Sequence, residues 1–187
     1  MIYTGIGSRE TPEYILDKMK DIAFYLASKG VVLRSGKAGG ADEAFQLGVE
    51  AFAKQSGVFQ KELAEIYIPW AKFSNPHLSN SYDVLVTNKN IVETAEGIVA
   101  QIHPAWERCS QGAKRLHTRN VFQVLGSSLT SKSDFLVCYA KPKKDGEGVS
   151  GGTNTAYMLA KKNNIPTFNL YYEEELQALR DFLKENL

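Results

Sequence analysis

Cysteine is nearly missing from this chain. Cys109 and Cys138 are the only two in 187 residues, too few for a disulfide framework, and a reducing, cytoplasmic setting is expected. No apolar run approaches the roughly 20 residues needed to cross a bilayer. The opening MIYTGIGSRE lacks the basic start and long apolar segment of a signal peptide, so no membrane contact is predicted. An excess of charge is missing too. Lys and Arg number 22 against 21 Asp and Glu, a formal net charge of +1. A protein that coats nucleic acid needs a basic surplus, so any polyanion here must be met locally. His77, His103 and His117 show no zinc-ligand spacing with the two cysteines, and neither a metal nor a cofactor is expected. Internal repeats and linker-like stretches are absent, which predicts one domain over residues 1–187.

What is present is ordinary in amount, with 43% hydrophobic and 23% charged residues, and informative in order. Residues 1–7 (MIYTGIG) read as a strand running into Gly5, Gly7, Ser8 and Arg9. Thr11 then supplies an N-cap and Pro12 a first-turn proline for a helix from about Pro12 to Lys29, with Ile15, Met19, Ile22 and Leu26 at helical spacing. A second apolar run ends at Leu33. It is followed by a glycine-rich turn through Ser35, Gly36, Lys37, Gly39 and Gly40, and a helix from about Asp42. Residues 64–69 (AEIYIP) predict a third strand. The polar, proline-containing stretch 70–90 predicts a long irregular excursion, a kind of loop that is often functional.

Residues 90–102 predict a helix, and another is expected to start at Pro104 and run to Gly126. SDFLVCYA at 133–140 is apolar nearly throughout, as a central strand of a parallel sheet is. A charged loop, KPKKDGEG, leads from it to Gly151, Gly152 and Thr153, which open a further helix. A last strand at 165–170 and an amphipathic helix at 173–187 close the chain. Strands alternating with helices predict an α/β fold, a Rossmann-like three-layer sandwich around a mostly parallel sheet. Three glycine turns follow a strand and precede a helix. In such folds all three lie at the carboxyl edge of the sheet, where ligands bind.

GIGSR at 5–9, SGKAGGAD at 35–42, the Arg119-Asn120 pair, SDFLVCY at 133–139 and SGGT at 150–153 resemble, in order, the landmarks of the SLOG superfamily of Rossmann-like domains. Within it the chain is most similar to the Rossmann domain of DprA/Smf proteins, and its size resembles a stand-alone, phage-type member. The resemblance implies binding of single-stranded DNA or a nucleotide, a role in DNA processing and recombination, a recombinase partner and self-association. The LOG branch instead hydrolyses the N-glycosidic bond of nucleoside monophosphates with a PGGxGTxxE motif. Here the segment reads SGGTNTAYM. Arg119 matches the LOG arginine, while the glutamate is missing, so binding ranks above hydrolysis. A sensor or sequestering protein for a nucleotide-derived signal is a third alternative.

The site residues expected on this basis are Gly7, Ser8, Arg9, Ser35, Gly36, Lys37, Gly39, Gly40, Asp42, Arg119, Asn120, Gly151, Gly152 and Thr153. Arginines and glycine-turn N–H groups suit phosphate by geometry and charge. Lys37 either adds a point charge or is a solvated loop residue. Asp42 either caps its helix or binds a sugar hydroxyl. Arg115, four residues before Arg119, would share its helix face. Trp70, Phe73, Tyr82 and Trp106 are candidates for stacking on bases or for the core.

Overall fold

A computed structural model of the chain describes residues 1–57 and 61–187. Among these, six strands form one sheet: β1 (Ile2–Gly7), β2 (Val32–Ser35), β3 (Ala64–Tyr67), β4 (Asp83–Val84), β5 (Phe135–Tyr139) and β6 (Thr167–Asn169). Their order is β4-β3-β2-β1-β5-β6, and every pairing between neighbours is parallel. Six helices cover the two faces: α1 (Glu13–Ser28), α2 (Ala41–Ser56), α3 (Lys89–Ile102), α4 (Gln111–Leu125), α5 (Thr153–Lys162) and α6 (Glu173–Asn186). The expected α/β Rossmann-like three-layer fold is the observed one.

The two-residue period of the strands decides which side chains go to which layer. Tyr3, Leu33, Ile66, Phe135 and Val137 face α1, α2 and α6, where they bury with Met19, Phe45 and Leu179. Ile6, Tyr67, Leu136 and Cys138 face α3, α4 and α5 and bury with Val99, Val121 and Leu159. Tyr3 stacks on Phe135 at 5.4 Å between ring centres, and Phe182 of α6 closes over Phe135 at 5.3 Å. Strand β5, flanked by β1 and β6, is central as its continuous apolar run predicts.

Three local expectations are corrected. The helix expected from Pro104 begins at Gln111 instead. Trp106–Arg108 is a single 3-10 turn, Cys109 is extended at φ −68°, ψ 138°, and Ser110 caps α4 by accepting the Ala113 N–H at 3.2 Å. Thr11 does not cap α1. Its hydroxyl donates to the Ser8 carbonyl at 2.7 Å, and Pro12 occupies the N-cap. The stretch 70–90 is not wholly irregular, since β4 pairs with β3.

That stretch is also tied down by polar groups that reach it from β2's turn and from α2. The Lys37 ammonium, at a backbone φ of 64° and fully buried, donates to both Asp83 carboxylate oxygens at 2.6 and 2.7 Å. It donates as well to Asn80 Oδ1 at 2.5 Å and to the Ser79 carbonyl at 3.1 Å. Gln46 donates to the same carbonyl at 2.9 Å, and Glu50 accepts the Ser79 N–H at 2.9 Å. A second carboxylate of α2, Glu43, holds Asn75 at 2.9 Å. The excursion is thus a strap laid across the outer end of α2, and Tyr82 within it is buried rather than open to a base.

Candidate functional site

The strand order changes direction between β1 and β5, and beyond their carboxyl ends lies a crevice of about 410 Å³. This is where a doubly wound sheet leaves room for a ligand, because the loops after the two strands turn away to opposite faces. One wall is the turn after β1, Gly7 to Glu10. The facing wall is the turn before α5, Ser150 to Thr153. A third side is α4, through Asn120 and His117, with Asp42 of α2 and Arg119 and Gln123 of α4 deeper in.

Of the residues expected from the sequence, Gly7, Ser8, Arg9, Asp42, Arg119, Asn120, Gly151, Gly152 and Thr153 line this crevice. Ser35, Gly36, Lys37, Gly39 and Gly40 do not line it. Ser35 is fully buried and its hydroxyl donates to the Gly5 carbonyl at 2.6 Å, joining β2 to β1. Lys37 faces the strap, as described, and is neither a solvated residue nor a charge in the crevice. Gly40 has φ 81°, and a β-carbon there would sit 2.7 Å from both the Arg9 α-carbon and the Ser8 carbonyl. Only glycine lets the turn before α2 press against the turn that carries Ser8 and Arg9. The second glycine turn therefore shapes the site from beneath and touches it only through Ala38, and Gly39 lies in that same supporting turn.

Arg119 is 6% exposed and acts first as a brace. One guanidinium nitrogen donates to the Gly36 carbonyl and, at 3.2 Å, to the Tyr67 carbonyl, while its Nε donates to Asn120 Oδ1 at 3.0 Å. Asn120 in turn donates to the Gly152 carbonyl at 2.9 Å. The pair connects the ends of β2 and β3 to the turn before α5. Gly36 belongs to the brace as well, because a β-carbon at that position would overlap Arg119 and Gln123. Arg115 is exposed and shares only a small outer recess with Arg119, so it is not a crevice residue.

The remaining groups present chemistry to the crevice. Arg9 is exposed and has no hydrogen bond or ion pair among the described residues. α5 begins at Thr153 after the N-cap Gly152, without a side-chain cap and with Gly151 at φ 78°; the Asn154 N–H donates to the Gly151 carbonyl at 3.2 Å, which among the described residues leaves the Gly152 and Thr153 N–H groups open to an acceptor. His117, missed by the sequence reading, donates or accepts through Nδ1 with Thr155 at 2.9 Å. Its pKa is lowered by burial first, then by His103 and Arg119, which keeps the ring neutral near pH 7. The spacing of His117 three residues before Asn120 would have placed it on this wall.

Asp42 is buried, and its carboxylate accepts the N–H groups of Ala38 and Gly7. Burial pushes its pKa from 3.8 up to about 6, with Arg119, the two N–H groups and Arg9 opposing. A carboxyl whose pKa is higher in the folded chain binds its proton more tightly there. Its contribution to stability is present below about 4 and lost as pH rises to about 6, a change of roughly 3 kcal/mol for two units. Asp42→Asn is expected to remove this slope. Urea unfolding of both proteins at pH 4.5 and 7.5 tests it, and an unchanged difference between them across that range would contradict it.

Trp70 packs edge to face on Phe73 at 5.2 Å, and Trp106 lies under the Lys114 ammonium at 5.1 Å, both outside the crevice. Compared with known proteins, the chain matches no family model, no curated protein and no solved structure.

Proposed function

We propose that the crevice binds the phosphate of a nucleotide, one nucleotide unit at a time. The observation that carries this reading is the start of α5, with the Gly152 and Thr153 N–H groups open, facing Arg9, which has no hydrogen bond or ion pair among the described residues, across the crevice. Open N–H groups at the positive end of a helix dipole, opposite a free guanidinium, suit a phosphate dianion. A volume of about 410 Å³ is that of a small-molecule site. With a net charge of +1, a single nucleotide is favoured over a long strand held by many phosphates. The likeness to DprA-type domains supports a nucleotide presented within single-stranded DNA, and with it the role in DNA processing and the recombinase partner. Asp42 favours a second reading, N-glycosidic hydrolysis, because a carboxyl with a pKa of about 6 is placed to take or give a proton near neutral pH.

Titration calorimetry with adenosine monophosphate and with a short single-stranded oligonucleotide, at two salt concentrations, tests the proposal. Arg9→Ala is expected to weaken the mononucleotide by about tenfold, the loss of one charge-assisted hydrogen bond, without changing the melting temperature. Heat from neither ligand would overturn the reading, and binding of the oligonucleotide alone would replace the single-unit site by a strand track. Free adenine in the same samples would establish the hydrolytic reading.

A further inference from the structure

The His117 ring is held in one orientation from α5. Its Nδ1 lies 2.9 Å from the Thr155 hydroxyl, and Thr155, 1% exposed, has no other side-chain hydrogen bond among the described residues. A buried hydroxyl with one acceptor in reach gives its proton to that acceptor, so Nδ1 accepts and the neutral ring carries its own proton on Nε2. Among the described residues Nε2 has no partner, it is not sealed from solvent, and the residue lines the crevice. His103 packs against the ring at 4.5 Å between centres and holds the same pose. Thr155 sits in the first turn of α5, the turn whose Gly152 and Thr153 N–H groups are open. Nearly one turn further along α4, Asn120 donates to the Gly152 carbonyl at 2.9 Å. α4 is thus fastened to that turn at two points, and the imidazole stands beside the open N–H groups with Arg9 on the facing wall.

Donors therefore come from three walls: the Arg9 guanidinium, the N–H groups at the start of α5, and the His117 Nε2–H. A phosphate monoester has three terminal oxygens to meet them. A phosphodiester has two, and a carbon substituent stands where the third would be. We propose that His117 donates its Nε2–H to the bound phosphate, and that the crevice thereby selects a terminal phosphate monoester over a phosphodiester. This rests on the nucleotide reading above and narrows it. A free nucleotide or a phosphorylated strand end fits the three walls, and an internal unit of a strand does not.

Calorimetry with adenosine 5′-monophosphate, the methyl ester of its phosphate, and inorganic phosphate tests the assignment in wild type, His117→Leu and His117→Gln. The monoester is expected to bind wild type at least about tenfold more tightly than the methyl ester, as for one hydrogen bond lost to a charged group. His117→Leu should cut that preference to less than about threefold and weaken inorganic phosphate alongside the monoester. His117→Gln returns an N–H near the place of Nε2 and should keep the preference above that level. Wild type alone supplies a check that does not depend on how the variants fold. The nitrogen resonance of His117 Nε2 should shift on adding the monoester and stay in place with the methyl ester. Equal affinities for the two esters in wild type would overturn the selection while leaving phosphate binding intact. A preference that survives in His117→Leu would belong to ligand charge alone and overturn the role of His117. Failure of every phosphorylated ligand to bind would overturn the nucleotide reading and this inference together.

Discussion

Arg119→Ala is expected to destabilise the protein by about 3–5 kcal/mol, the range for removing one partner of a buried charged network. Three acceptors lose their donor at once: the carbonyls of Gly36 and Tyr67 and the amide oxygen of Asn120. Asp42 loses the charge that most opposes its burial. Its carboxyl then rises further above about 6, so the ionised form costs more and the loss grows as pH increases. Urea unfolding should show a larger deficit at pH 7.5 than at pH 5. The double variant Arg119→Ala, Asp42→Asn should recover part of the deficit at the higher pH. A loss under about 1 kcal/mol, or one that does not vary with pH, would mean that Arg119 is not a brace. Arg119, expected from the sequence to bind phosphate, therefore has to be tested for folding before any binding defect is assigned to it.

Lys37→Met is expected to have an effect of similar size, about 3–5 kcal/mol, for a related reason. Methionine keeps much of the volume but donates nothing, and Asp83, Asn80 and the Ser79 carbonyl are left facing an apolar chain. Burial already lifts the Asp83 carboxyl above its usual pKa, with Lys37 as the opposing influence. The variant should therefore release the strap first. Limited proteolysis is the direct check, with new cleavage expected within residues 70–83 well below the melting temperature. Asp83→Asn in the same background should restore part of the stability by removing the unpaired charge. If the strap resists protease as well in the variant as in the wild type, Lys37 does not hold it.

These two residues show where sequence reading succeeds and where it stops. The alternation of strands and helices was legible because the apolar periods are long: Ile15, Met19 and Leu26 on one helix, the unbroken run of β5 on one strand. The carboxyl-edge crevice followed from topology, so Arg9, Asp42 and the turn before α5 could be placed near one another without coordinates. Lys37 could not. Its partners lie 42 to 46 residues away in a stretch with no period, and composition does not say which polar group a buried ammonium will meet. β4, at two residues, is too short to show alternation. The pose of His117 gave no signal either, since the Thr155 hydroxyl that fixes it belongs to another helix.

Strand β1 lies between β2 and β5, and the first bond of its β5 side, from the Ile2 N–H to the Asp134 carboxylate, joins residues 132 positions apart. During synthesis this has a plain consequence. The N-terminal half can pair β1 with β2, and β2 with β3, as soon as it leaves the ribosome, but β1 then presents an open hydrogen-bonding edge until β5 emerges. The wall before α5 arrives later still. A nascent chain therefore holds an unpaired strand edge and half a crevice until β5 and the turn before α5 have emerged.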